Sequence, residues 1–215
     1  MEYEYYVRTK SKKAGILAVL FSATLFLAFP IFQVNGQPQE DPQVVIREEV
    51  GGEALWEGIS VQIPGIGGVT SVEMFAVLGD PEGSRASIFL TREADGSVLS
   101  GHTSDGIVFE ADKQLTTGEL SPLNFEICVE NDESGQCITI EEMTLQATWQ
   151  GTGELEKDKV KSHTNIEGFK GHFMVMEEHR GAVAEADIDG VNLGTSDSAG
   201  LSRARTMTVG DVSEG

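Results

Sequence analysis

From Leu55 onward apolar and polar positions alternate with period two, the pattern of strands that bury one face. Leu55, Ile59, Val61 and Ile63 share a parity; so do Val72, Met74, Ala76 and Leu78, and again Ala86, Ile88 and Leu90. Later come Phe169 to His179, the run Ala182, Ala184, Ala186, Ile188, and a last strand about Arg203 to Val209. No stretch past residue 36 holds a 3.6 period. Turn residues punctuate the runs: Pro64-Gly65, Gly67-Gly68, Gly79 to Gly83, Asp95-Gly96 and Asp105-Gly106. Asp-Gly between strand-like segments signals a hairpin, because both residues tolerate positive φ. The pattern predicts one all-β domain over residues 53–210, a β-sandwich or a closed antiparallel β-barrel of about ten or eleven strands. Residues 37–52 read as a polar linker and first strand, and 211–215 as a disordered tail.

The sharpest local prediction concerns Leu123 to Ile140. Leu123, Phe125, Ile127 and Val129 alternate with polar residues up to the turn at Asn131 to Gly135, and Cys137-Ile138-Thr139-Ile140 begins the return. Pairing Cys128 with Cys137 in a disulfide puts Ile127 opposite Ile138 and Phe125 opposite Ile140, with the apolar sets on one face. Beyond Ile140 the parity flips to Met143, Leu145, Ala147 and Trp149, which predicts a bulge near Glu141-Glu142. A metal pair or redox dithiol has neither further ligands nor a C-x-x-C spacing to support it.

Upstream the pattern changes altogether. Ala14 to Phe32 contains no charge and follows Arg8, Lys10, Lys12 and Lys13. A basic region, an apolar run and small residues at Val34 and Gly36 are the parts of a secretory signal peptide, with Gln37 as the first mature residue. The run is long for that purpose and approaches a bilayer span, so residues 1–36 read as a hydrophobic helix that is either a cleaved signal or an uncleaved anchor. A pilin-like leader cut after the lysines is a third arrangement; Pro30 and the lack of an early acidic residue speak against it. The first two place the domain outside the cytoplasm, extracellular or at the cell surface, where a disulfide persists. Membrane contact is then confined to the N-terminal segment.

Charge narrows the partners. The 215 residues carry 15 Lys and Arg against 35 Asp and Glu, and residues 37–215 alone carry 11 against 33. Such a field repels nucleic acid and draws cations or basic partners, envelope components among them. Hydrophobic residues, at 40%, suffice for a core, so the charge marks a solvated surface and not a disordered chain. Against this background Lys157, Lys159 and Lys161 form the one locally basic segment and project from a single strand face. They are either a protected sheet edge or a docking stripe for an acidic partner.

Candidate chemistry is sparse. His102, His163, His172 and His179 show no metal-ligand spacing, and in a regular strand His172 and His179 face opposite sides. No nucleophile elbow, P-loop or dinucleotide fingerprint occurs. Glu185-Ala186-Asp187-Ile188-Asp189 places three carboxylates on one strand face, and it resembles the E-x-D-x-E motif of family 16 glycoside hydrolases, with Asp189 where that family has Glu. The resemblance covers five residues and implies a nucleophile and general acid about 5 Å apart. The same segment continues to Gly190-Val191-Asn192, so that Asp187, Asp189 and Asn192 offer oxygens to a hard cation such as calcium, the alternative being an ion-free Asp-Gly hairpin. No other cofactor is implied. The leading expectation is an exported, acidic, non-catalytic structural or binding domain. The rivals are a small secreted hydrolase using Glu185 and Asp189, and a barrel lined by Met74, Met174 and Met176 around a small apolar ligand.

Overall fold

The computed structural model describes residues 43–79, 83–131, 134, 136–166 and 169–211. The leader at 1–36, linker residues 37–42 and residues 212–215 lie outside the described residues, and with them the expectation of an N-terminal helix.

The described residues form ten strands: β1 (Gln43–Ile63), β2 (Gly67–Gly79), β3 (Arg85–Arg92), β4 (Val98–Thr103), β5 (Phe109–Ala111), β6 (Thr117–Asn131), β7 (Cys137–Gly151), β8 (Glu156–Ile166), β9 (Phe169–Ile188) and β10 (Val191–Asp211). The all-β class and the strand number are as the alternation implies. The closure is not. All ten strands belong to one antiparallel sheet in the order β4-β3-β2-β1-β10-β9-β7-β6-β5, with β8 added to β9.

The expected sandwich or closed barrel is therefore replaced by one open sheet, and strand length explains why. β1, β9 and β10 run for 21, 20 and 21 residues, but the strands at the two ends of the sheet, β4 and β5, have six and three, too little backbone to pair across the seam. The sheet rolls until β4 lies against β6 and β5 against β1 and β2, but no ladder joins its ends. Gly101 on β4 shows how tight this approach is: a Cβ there would sit 2.5 Å from Ile127 Cδ1 and 3.2 Å from Glu126 O.

The rolled part, called the body here, encloses one apolar cluster that includes Trp56, Met74, Ile88, Phe109, Phe125, Leu145 and Ile188. Both tryptophans satisfy their indole N–H inside it: Trp56 Nε1 donates to Gly194 O at 3.0 Å and Trp149 Nε1 to Glu53 O at 2.9 Å. Buried polar hydrogens without partners would otherwise oppose folding.

Two register expectations fail, each for a local reason. In β1 the buried residues are Ala54 and Trp56, not Leu55, because a bulge between Glu57 and Val61, where Gly58 has φ +67°, changes the parity before Ile63. In the β6–β7 hairpin Phe125 faces Met143 and Ile127 faces Glu141, leaving Ile138 58% and Ile140 56% exposed. The run Met143 to Trp149 sets this register: with β7 regular, burying its four apolar side chains leaves Ile138 and Ile140 on the opposite parity. β7 is regular through Glu141-Glu142; the irregularities lie opposite, at Ser121-Pro122 and near Cys128 to Asn131. The Cys128–Cys137 disulfide nonetheless forms, with Cα atoms 5.8 Å apart.

Candidate binding surface

Beyond the body the sheet continues as a wing. It consists of β8, the first half of β9, the second half of β10 and the start of β1, held by unbroken ladders from Glu156↔His179 to Ile166↔Phe169, from Ala199↔Ala182 to Asp211↔Lys170, and across β1 from Gln43↔Gly210. None of the side chains of 46–50, 156–161, 172–179 and 202–209 is buried. Leu201, fully buried, marks the border with the body. Paired residues of an antiparallel ladder point to one side, so the registers assign every wing residue to a face.

One face carries Lys157, Lys159 and Lys161 of β8, Met174, Met176 and Glu178 of β9, Arg203, Arg205 and Met207 of β10, and Ile46 and Glu48 of β1. Five basic groups stand against two carboxylates, around an apolar row in which Met174, Met207 and Ile46 are consecutive neighbours. The expected projection of the three lysines from one face is thus realised. Lys157 Nζ meets Glu178 Oε1 at 2.6 Å, Arg203 Nη1 lies 3.6 Å from Glu178 Oε2, and Arg205 Nε lies 3.1 Å from Glu48 Oε1. The hydrogen bond from Lys157, reinforced by Arg203, holds the Glu178 carboxyl below the ordinary carboxylate range.

The opposite face carries Glu156, Asp158, Glu177 and Glu49, with Arg47 as the one basic side chain of its four strands other than His179 and with Arg85 of β3 lying 3.7 Å from Glu49 Oε1 at its margin. Its apolar members are Val160, Val175, Phe173 and Ala204. The two faces therefore bear formal charges of about +3 and −3 with histidines neutral, each around an apolar strip of which no described side chain is buried. Ile46, Val160 and Met176 are 47, 56 and 37% exposed.

The wing joins the body through two arginines. Arg203 donates to Lys113 O and Asp112 O at 3.0 and 2.9 Å, and Arg180 to Gln114 O and Gly153 O at 2.9 and 2.8 Å. Both grip the loop between β5 and β6, and Arg180 also the β7–β8 connection at Gly153; Asp112 closes the first loop by accepting hydrogen bonds from the Thr116 hydroxyl and amide. The Thr116 hydroxyl is the main reason that the Asp112 carboxyl titrates low. On the other face at the same border, burial pushes the Glu53 carboxyl up, with Glu73 adding to the rise and His179 opposing it.

The sequence-derived candidates lie elsewhere. Glu185 and Asp187 sit on the outer face of the body, and Asp189 falls in the two-residue turn between β9 and β10 with φ +51°. Asp189 Oδ1 accepts from Thr144 N at 2.8 Å while its own amide donates to Thr144 O at 3.0 Å. Asp187 Oδ1 accepts from Gly190 N and Asn192 Oδ1 from Gly194 N, each at 2.7 Å. The three proposed cation ligands thus each direct an oxygen to a backbone amide around the turn. Among the described residues no group of three His, Cys, Asp or Glu is arranged to hold a metal. Glu185 borders an open groove of about 660 Å³ with Glu110 and Glu119.

Met74 is buried in the body whereas Met174 and Met176 are on the wing, so the three do not line a common cavity. His172 and His179 take opposite wing faces, as their spacing requires. One pair escaped the sequence: Ser87 Oγ lies 2.7 Å from His102 Nδ1, with the His102 ring edge-on to Phe89. Ser87 is 5% exposed and mid-strand, a cross-strand hydrogen bond and not an accessible nucleophile. The two residues are 15 apart and meet only through the β3–β4 register, which no local motif encodes. Comparison with family models, curated proteins and solved structures finds no match.

Proposed function

We propose that the protein is an exported, acidic, non-catalytic β domain that serves as a structural or binding component of the cell envelope or extracellular space, with the wing as its contact element. One observation carries this reading: four strands extend past the core and, among the described residues, none of their side chains is buried while each face carries apolar ones. An antiparallel sheet ordinarily packs at least one face, and contiguous exposed apolar surface marks an interaction site. The basic segment from Lys157 to Lys161 falls on this surface, which favours docking over simple edge protection. The hydrolase reading has less support, because Asp189 is engaged by Thr144 in a turn and does not stand with Glu185 and Asp187 on a strand face.

Hydrogen exchange on the protein in isolated envelopes, compared with the dilute purified domain, tests the proposal. Protection of β8 and the wing halves of β9 and β10 is expected in envelopes only. Equal exchange in both states would overturn the binding role, and recovery with Cys128 and Cys137 as free thiols would overturn export.

A further inference from the structure

The two wing faces are complementary to each other, and from this we infer that the wing's partner is the wing of a second copy of the chain, stacked face to face so that the basic face of one molecule covers the acidic face of the next. The inference rests on the proposed contact role and names its partner.

Charge selects the arrangement. Stacking two basic faces would bring Lys159, Lys161 and Arg205 against their own copies, and stacking two acidic faces would do the same to Asp158 and Glu177. With each strand over its own copy, basic on acidic sets Lys159 and Lys161 of β8 against Glu156 and Asp158 of β8, with Glu177 beside them, while Met174 of β9 meets Val175 and Phe173 of β9. Packed sheets lie about 10 Å apart with strands within about 30° of alignment, a geometry that long apolar and charged side chains fill. Such a contact uses different surfaces on its two sides. It is heterologous, so each molecule keeps one free face and the array extends unless it closes into a ring.

Area sets the strength. Four strands about 4.8 Å apart and about eight residues long at about 3.4 Å each give roughly 500 Å² per face, or roughly 1,000 Å² buried per contact. That is at the lower limit for a specific interface. A single contact is consequently weak, and stacks form where the chain is concentrated.

The test is charge reversal read by sedimentation velocity from about 10 μM to 1 mM. Wild-type protein is expected to show species larger than a dimer that grow with concentration. The variant Lys159→Glu/Lys161→Glu, which makes both faces acidic, and Asp158→Lys/Glu177→Lys, which makes both basic, are each expected to remain monomeric. An equimolar mixture of the two is expected to assemble again, because every contact is then acidic on basic. All four positions are without buried side chains, and thermal melting of each variant confirms the fold. Wild-type protein monomeric at 1 mM, assembly unaffected by either reversal, or a mixture that fails to assemble would each overturn self-stacking. A monomer whose wing is still protected in envelopes would retain the contact role with a different partner; a monomer unprotected there would remove both.

Discussion

The body and the wing share strands, ladders and backbone hydrogen bonds, yet differ in whether a side chain finds anything to cover it. β9 illustrates this within one strand. Ala182, Ala184, Ala186 and Ile188 are buried in the body, whereas Met174, Met176 and Glu178, on the same side of the same strand, are not buried in the wing. The pairing partner is β10 throughout. Ladder formation therefore does not distinguish the halves; burial does, and burial supplies most of the favourable free energy of folding. The wing is the half whose stability is left to be completed by contact.

The largest break in this comparison comes from truncating apolar side chains in the two parts. Phe125→Ala in the body is expected to cost about 3–5 kcal/mol in urea unfolding. Val160→Ala on the wing should lie within about 0.5 kcal/mol of wild type in dilute solution. A wing substitution as costly as the core one would show that the dilute domain already covers that surface.

Next is the covalent tie at the end of the β6–β7 hairpin, where Ile138 and Ile140 are exposed and the core no longer holds the strands. Replacing Cys128 and Cys137 by Ser should lower stability by about 2–3 kcal/mol in the chain-entropy model. Hydrogen exchange should localise the loosening to residues 128–140. Loosening spread evenly over the body would contradict a local role.

The smallest effect separates the two parts by pH. Glu178 on the wing titrates below the ordinary value of 4.5, so its contribution is present above that pH and is lost as pH falls through the depressed value. Glu53 at the body border titrates above 4.5, so stability is lost as pH rises from 4.5 through the raised value. Glu53→Gln should accordingly raise Tm slightly at pH 7 and leave it unchanged at pH 3.5, whereas Glu178→Gln should lower Tm at pH 7 and make it less sensitive to acid. Melting curves at the two pH values check both signs.

The alternation in Val72 to Leu78, Ala86 to Leu90, Met143 to Trp149 and Ala182 to Ile188 was enough to place the core, because each run belongs to the half of the sheet that has an inside. Leu55 misled where Gly58 allows a bulge, and Ile138 and Ile140 misled because alternation reports two faces without saying which is covered. β9 spans two separate apolar series, because Glu177 to Arg180 interrupt them where the strand crosses from wing to body. Lys157, Lys159 and Lys161 were visible as a stripe, but the acidic face behind them was not: it is assembled from β1, β8 and β9, which only the register brings together.

Gln43 and Gly210 are paired at the wing tip, at the opposite end of the sheet from the Asp189-Gly190 turn. A force pulling β1 and β10 apart from that end loads their ladder at its first rung and unzips it pair by pair. A force on Gln43 opposed at the body would instead shear the thirteen β1–β10 pairs together. Mechanical resistance in this domain is thus set by where the load is applied, with the same hydrogen bonds yielding easily in one direction and jointly in the other.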